Sequence, residues 1–261
     1  MDLGIEGNSA LVTASSSGLG RASAKALATE GANVAICSRG GEKLEEAREE
    51  IDEVGDGDVL AVECDITDPD EIEALVETTV SEFGGLDHLV TSAGGPPSGP
   101  FLDTTERDWY EAYDLLVMSA VWLTKQAHPH LVESDAGTVV NITSTSVREA
   151  IDGLVLSNAV RRGVIGLMKT QAREFAPDVR VNAVLPGAHE TPRIQELVEA
   201  AVERGEYDSY DEGLAAWAED IPLDRVGDPQ ELGDAITFLS SDRASFVNGV
   251  AMPVDGGRLR S

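Results

Sequence analysis

The chain has 261 residues, 42% of them hydrophobic, and its 48 acidic against 19 basic side chains give a formal charge of −29. That apolar share excludes a disordered chain, and the length is enough for one α/β domain with a large core. So negative a surface repels nucleic acid and anionic membranes, and neither is expected as a partner.

Residues 9–13 are a short apolar run that reads as a buried strand. Small residues follow, Ala14-Ser15-Ser16-Ser17-Gly18-Leu19-Gly20, and then Ala22, Ala26 and Leu27 recur at helical spacing. Strand, glycine turn and helix together aim free backbone N–H groups and a positive helix end at a phosphate. The glycines matter because a Cβ would hold a pyrophosphate away from the backbone. A glycine pair alone fits an ordinary strand–helix turn equally well, and the residues that follow distinguish the two.

Asn33–Ser38 is a second strand ending about 20 residues past the turn, where a dinucleotide fold reads the ribose beside adenine. An acidic residue there binds a 2′-hydroxyl. This chain has Ser38 and Arg39, a donor and a fixed cation suited to a 2′-phosphate, which favours NADP over NAD. Residues 42–54 read as an exposed helix with Leu44, Ala47 and Ile51 inward. Val59–Glu63 is a third strand, and Thr67 or Asp68 caps a helix over Pro69–Phe83.

A fourth strand at 86–92 runs into Ala93-Gly94-Gly95-Pro96-Pro97, and residues 104–131 form a long helical region. Strands at 137–143 and 179–185 flank a long helix over 154–175. Residues 188–220 show helical periodicity without strands, as a lid over the strand ends would, before a last helix at 233–239 and a last strand at Ala251–Val254. The alternation predicts a doubly wound parallel sheet of seven strands with helices on both faces, a single dinucleotide-binding domain over 1–261. Right-handed crossovers then place the loops at one edge of it.

From end to end the chain resembles the short-chain dehydrogenase/reductase family. The family's Thr-Gly-x-x-x-Gly-x-Gly turn has its counterpart in residues 13–20, its Asn-Asn-Ala-Gly turn in Thr91-Ser92-Ala93-Gly94, and its serine after strand five in Ser144. Residues 180–187 and Val254-Asp255-Gly256-Gly257 also match closely. The resemblance implies a Rossmann fold and cofactor contacts from Thr13, Ser15, Ser17, Gly18, Leu19 and Gly20. Asp65 and Ile66 are implied beside adenine, with Ser92, Ala93, Gly94, Arg161, Pro186, Gly187 and Thr191 along the rest of the coenzyme.

The departures are as informative. The family's Tyr-x-x-x-Lys pair lies thirteen residues after the serine; here that position is Ser157, followed by Arg161. The family's helical asparagine falls on Leu116, and Ala14 replaces the first glycine of the turn, which suits a negative φ at that residue. The whole resembles a divergent subgroup similar to β-ketoacyl reductases. Serine has no phenolic acidity, and arginine keeps its proton at working pH but retains the charge one helical turn from Ser157.

Two functions follow. One is an oxidoreductase moving a hydride between nicotinamide and a small carbonyl or alcohol, with Ser144, Ser157 and Arg161 at the reacting oxygen and His189 as replacement proton donor. The other is an NADP(H)-binding sensor or structural protein without turnover. Arg148 and Arg193 flank the pocket in sequence and suit a substrate carboxylate or phosphate. His128 and His130 lack convergent carboxylates, so no metal is expected.

By resemblance, a homotetramer or dimer is expected, pairing residues 104–131 and 154–175 with their copies, with Trp122, Leu123, Leu167 and Met168 as apolar candidates. Cys37 and Cys64 read as reduced core residues of a cytoplasmic protein. The opening residues carry no secretory signal, and the longest apolar run, 115–123, is too short for a membrane span. The charge points to a cytosol of molar salt, where the Debye length is about 3 Å and self-repulsion is screened. Helical ellipticity is therefore expected to be full in molar potassium chloride and lost on dialysis into dilute buffer; a salt-independent spectrum would exclude this.

Overall fold

The computed structural model describes residues 2–260. β1 (Ser9–Val12) leads into α1 (Gly18–Thr29), β2 (Asn33–Ser38) into α2 (Glu42–Asp52), and β3 (Val59–Glu63) into α3 (Pro69–Phe83). After β4 (His88–Thr91) come α4 (Glu106–Tyr113), a π-helical stretch at Asp114–Met118 and α5 (Ser119–Glu133). β5 (Thr138–Ile142), α6 (Val155–Glu174) and β6 (Arg180–Pro186) follow, then α7 (Pro192–Glu203), α8 (Tyr210–Ala218), α9 (Pro229–Ser240) and β7 (Ala251–Val254).

The seven strands form one parallel sheet in the order β3-β2-β1-β4-β5-β6-β7, the expected doubly wound fold. Chain direction across the sheet reverses between β1 and β4. That switch point opens a crevice beyond the carboxyl ends of the strands, where such folds take ligands.

Period-two alternation builds the two cores. Val12, Ile36, Val90, Val140 and Val184 face a layer with Leu27, Leu44, Leu232 and Ile236, from α1, α2 and α9. Leu11, Ala35, Leu89, Val139 and Ala183 face the other layer, with Leu75, Leu123, Leu131 and Met168 from α3, α5 and α6. Leu123 and Met168 are therefore inside the subunit and unavailable to a partner copy.

Boundaries moved where capping or ladder geometry overrode periodicity. The last helix begins four residues earlier than its apolar spacing suggests, because Asp228 and Glu231 form a capping box and Pro229 occupies the first turn. The helical region at 104–131 is interrupted by the π-helical stretch, and Leu116 lies buried within it. Residues 188–220 carry α7 and α8. Among the described residues, no helix is long and apolar enough to cross a membrane.

Fully buried His88, on β4, couples this core to pH. Asn8 Nδ2 lies 3.0 Å from its Nε2 and donates to it, so the ring proton sits on Nδ1 and reaches Thr138 Oγ1 at 2.9 Å. Burial lowers its pKa to about 4. Between that value and the unfolded value of about 6.5 the unfolded chain binds more protons, so stability falls as pH drops through this window, by roughly 3 kcal/mol when complete. At constant salt, the melting temperature should fall further between pH 7 and pH 4.5 in wild type than in His88→Gln, since the carboxylates titrate alike in both. Equal drops would place the pH sensitivity elsewhere.

Candidate active site

A cavity of about 990 Å³ runs along the carboxyl rim of the sheet. Ser17 precedes α1 in an extended conformation and makes no side-chain cap, and no acidic residue occupies the first helical turn. The N–H groups of that turn, with the positive helix end, therefore face the cavity uncompensated. Gly18 turns the chain at φ +57°, and Gly20 brings the helix onto the loop, since a Cβ there would stand 2.5 Å from the Ala14 carbonyl oxygen. These are the features of a pyrophosphate cradle.

Ala14 departs from the expected negative φ and stands at +49°. Its neighbours leave it no alternative. Thr13 N–H donates to the Val90 carbonyl at 3.1 Å, and Ser15 N–H to the Cys37 carbonyl at 3.0 Å. Ser15 Oγ also donates to the Val12 carbonyl at 2.8 Å, so the residue between is turned left-handed by both flanks. A Cβ in that region costs about 1–2 kcal/mol.

At one end of the cavity stand Ser38, Arg39, Gly40, Gly41 and Lys43. Among the described residues neither Arg39 nor Lys43 pairs with a carboxylate, although both are exposed in a strongly acidic chain. Asp65 and Ile66 line the same end. The Asp65 carboxylate accepts the Thr67 N–H at 2.9 Å and the Thr67 hydroxyl at 2.8 Å. Those bonds, with Arg39 nearby, hold its pKa below the usual carboxylate value.

The switch point is clipped by side chains. Thr13 Oγ1 donates to the Ser92 carbonyl at 2.7 Å and accepts the Ser92 N–H at 2.8 Å, locking the loop after β1 to the loop after β4. Thr91 donates to Asn141 Oδ1 at 2.8 Å, and Asn141 Nδ2 to the Asn182 carbonyl at 3.2 Å.

Arg161, on α6, reaches the other end of the cavity beside Gly94, Gly95 and Thr143. Its guanidinium is buried with two neutral partners: Nε donates to Ser157 Oγ at 3.2 Å and Nη2 to the Gly94 carbonyl at 3.1 Å. Burial lowers its pKa to about 10, which leaves it charged at neutral pH. Glu111 and Leu115 complete the wall. α7 starts above the phosphate loop: Thr191 lines the cavity over Gly18, and Arg193 Nη2 donates to Ser98 Oγ at 3.2 Å.

Of the residues singled out from sequence, Ser17, Leu19, Gly20, Ser38, Arg39, Asp65, Ile66, Ser92, Ala93, Gly94, Arg161 and Thr191 line this cavity. Thr13 and Ser15 lie behind its wall and hold the loop. Ser157 touches it only through Arg161, and Ser144 spends its Oγ on the Ser146 N–H at 3.1 Å. Pro186 ends β6 and Gly187 follows it, and neither is among the residues that line the cavity. His189, expected as the proton donor, has its Nδ1 3.2 Å from the Gly187 carbonyl and its ring packed on Gly227, where a Cβ would stand 3.0 Å from Nε2. Burial lowers its pKa, and the structure does not bring the imidazole to the cavity.

Lys43, Glu111, Leu115 and Thr143 line the cavity unanticipated. Lys43 lies in the first turn of α2 beyond the Gly40-Gly41 turn that follows Arg39, and neither it nor Glu111 and Leu115 carries a signal in the sequence. Among the described residues, no cluster of His, Cys, Asp and Glu could hold a metal ion.

Residues 13–258 match a family model described as enoyl-(acyl carrier protein) reductase. The chain is 33% identical over 254 residues to the 3-oxoacyl-(acyl-carrier-protein) reductase of Thermotoga maritima, spanning 97% of this chain and 98% of that protein. It superimposes on the L-sorbose reductase of Gluconobacter frateurii, solved with NADPH and L-sorbose, with a TM-score of 0.95 and 32% identity over the full length of both. It is also similar to an NADPH-bound short-chain oxidoreductase of Pseudomonas aeruginosa PAO1 described as containing an atypical catalytic center, with a TM-score of 0.89, 30% identity and 98% of each chain covered.

Ala14→Gly removes the left-handed Cβ at the cost of a more flexible unfolded chain. It should raise stability by about 1 kcal/mol or slightly less, a gain of roughly 2–4 °C in melting temperature for a chain of this size. A fall in the melting temperature would show that the Ala14 backbone is unstrained.

Proposed function

The chain belongs to the short-chain dehydrogenase/reductase family of oxidoreductases, and from that premise we propose an NADP(H)-dependent enzyme acting on a small carbonyl or alcohol through an atypical site. The observation that carries the reading is unpaired positive charge at both ends of one cavity, Arg39 and Lys43 at one and buried Arg161 at the other. Ser38, Arg39 and Lys43 hold the 2′-phosphate, the first turn of α1 holds the pyrophosphate, and Asp65 and Ile66 flank the adenine. NADPH-bound relatives support the choice of coenzyme.

When bound, the nicotinamide donates or accepts the hydride. Arg161 holds the adjoining ribose and stabilises negative charge on the reacting oxygen. Ser157 accepts a hydrogen bond from Arg161 Nε and so holds the guanidinium at the cavity wall. With His189 packed on Gly227, the proton for the alkoxide comes from solvent. The same reading takes residues 188–220 as the cover of the substrate end and residues 1–261 as one domain. It takes the protein as a homo-oligomer, dimer or tetramer, of a high-salt cytosol.

One observation favours the non-catalytic alternative. At the Arg161 end of the cavity the ionisable side chains among the described lining residues are Glu111 and Arg161, with no histidine or tyrosine. Calorimetry in molar potassium chloride and a carbonyl screen at 340 nm separate the readings. NADPH should bind at least tenfold more tightly than NADH, and Arg39→Leu should erase most of that difference. Arg161→Met should lower kcat by about 100-fold, a loss within the range found for removing one electrostatic donor. Absence of heat with either coenzyme would overturn the assignment, and tight binding without oxidation of any carbonyl would leave the sensor.

A further inference from the structure

The chain's two cysteines take no part in the chemistry above, yet both stand behind the adenosine end of the cavity. Cys37 pairs with Val62 in the β2–β3 ladder, and Cys64 lies two residues beyond Val62. Both side chains therefore leave the same face of the sheet. They are buried in the same layer as Leu11, Ala35 and Ile66, and both thiols are free.

Each cysteine is tied to the rim through its backbone. The Cys37 carbonyl accepts the Ser15 N–H at 3.0 Å, and the Cys37 N–H donates to Ser15 Oγ at 3.1 Å, so this residue holds the phosphate loop. The Cys64 N–H donates to the Ser38 carbonyl at 2.8 Å, and Asp65 follows directly. Cys64 also lines the cavity, whereas Cys37 is wholly enclosed.

We propose that Cys37 and Cys64 form a two-electron redox site that a small peroxide closes to an intramolecular disulfide, weakening dinucleotide binding. The Cys64 thiolate attacks a peroxide oxygen, the O–O bond breaks, and Cys64 sulfenic acid and hydroxide form. Cys37 then loses its proton and attacks the Cys64 sulfur; the S–O bond breaks and the oxygen leaves as water. In sum, two thiols and one hydrogen peroxide become one disulfide and two waters. Cys64 lines the cavity while Cys37 is wholly enclosed, which makes Cys64 the sulfur that a peroxide reaches first.

The bond alters the site because it needs a closer approach than the ladder gives. Strand spacing and rise put diagonal Cα atoms roughly 8 Å apart in a flat ladder, against roughly 4.4–6.8 Å across a disulfide. Closure draws the end of β3 toward β2 and moves Asp65 against Ser38 and Arg39. The identity of the ligand released rests on the NADP reading; the dithiol does not.

The test uses the full chain in molar potassium chloride, treated with hydrogen peroxide, with intact mass after alkylation and NADPH calorimetry as readouts. A loss of two hydrogens and both alkylation sites, with NADPH affinity at least tenfold weaker and restored by dithiothreitol, is expected. In Cys37→Ala and in Cys64→Ser, each compared with its own untreated sample, the affinity ratio should stay near one. Two alkylatable thiols after peroxide would overturn the proposal, as would a disulfide that leaves affinity unchanged. Should the untreated protein bind no NADPH, the coenzyme assignment fails, and the redox site stands or falls on the mass readout alone.

Discussion

Positive charge without a carboxylate partner, in a chain carrying 48 acidic residues, is the constraint around which the cleft is arranged. Several cations elsewhere find carboxylates, Arg21 with Glu50, Arg48 with Glu45, Arg204 with Glu206 and Arg225 with Glu231, while Arg180 is met by backbone carbonyls alone. Arg161 is more enclosed than any of these and has only a hydroxyl and a carbonyl. Burying a cation with neutral acceptors alone costs several kcal/mol unless a ligand supplies the missing oxygens. The open N–H groups of α1 lie on the same cavity and add to the same field.

Such charge is useful only if it is held still, and the strand ends hold it. The Thr13–Ser92 clip joins the two loops that diverge at the switch point, and the Thr91–Asn141–Asn182 chain extends the restraint to β6. Arg161 closes the circuit from α6 by donating to the Gly94 carbonyl, in the same loop that Thr13 fixes. The glycine loop and α6 are thus coupled through a few hydrogen bonds among buried groups, where each bond is stronger than it would be in water.

The sequence made the sheet legible because both faces of each central strand are buried and read as continuous apolar runs. The glycine turn and Arg39 were legible because each needs a particular residue type at a particular offset from a strand. Less legible were features fixed by tertiary contact. The sign of φ at Ala14 is set by Val90 and Cys37, strands away in sequence. The fate of the His189 ring depends on Gly227, nearly forty residues later. Lys43 lies on a helix whose exposed face looks solvated until the loop before it turns that face to the cavity. The π-helical stretch holding Leu116 follows from packing on α6 and has no local signal in the sequence.

The exchange of an acid for a fixed cation changes what the site can do to a reacting oxygen. A phenol at position 157 could hand over its proton as charge develops, a contribution of about 10²–10⁴ in rate. On the proposed function Arg161, held by Ser157, could only lower the energy of the charged oxygen, by a guanidinium that stays protonated with its pKa at about 10. In an enclosed site that electrostatic contribution is of similar size, because the charge is already in place and little solvent must reorganise. The two devices differ in when the proton arrives: with a general acid it moves during hydride transfer, whereas on the proposed function Arg161 would stabilise the oxyanion until a proton reached it from water. On the proposed function the step most sensitive to the protein would then be the formation of that oxyanion, with Arg161 as the residue governing it.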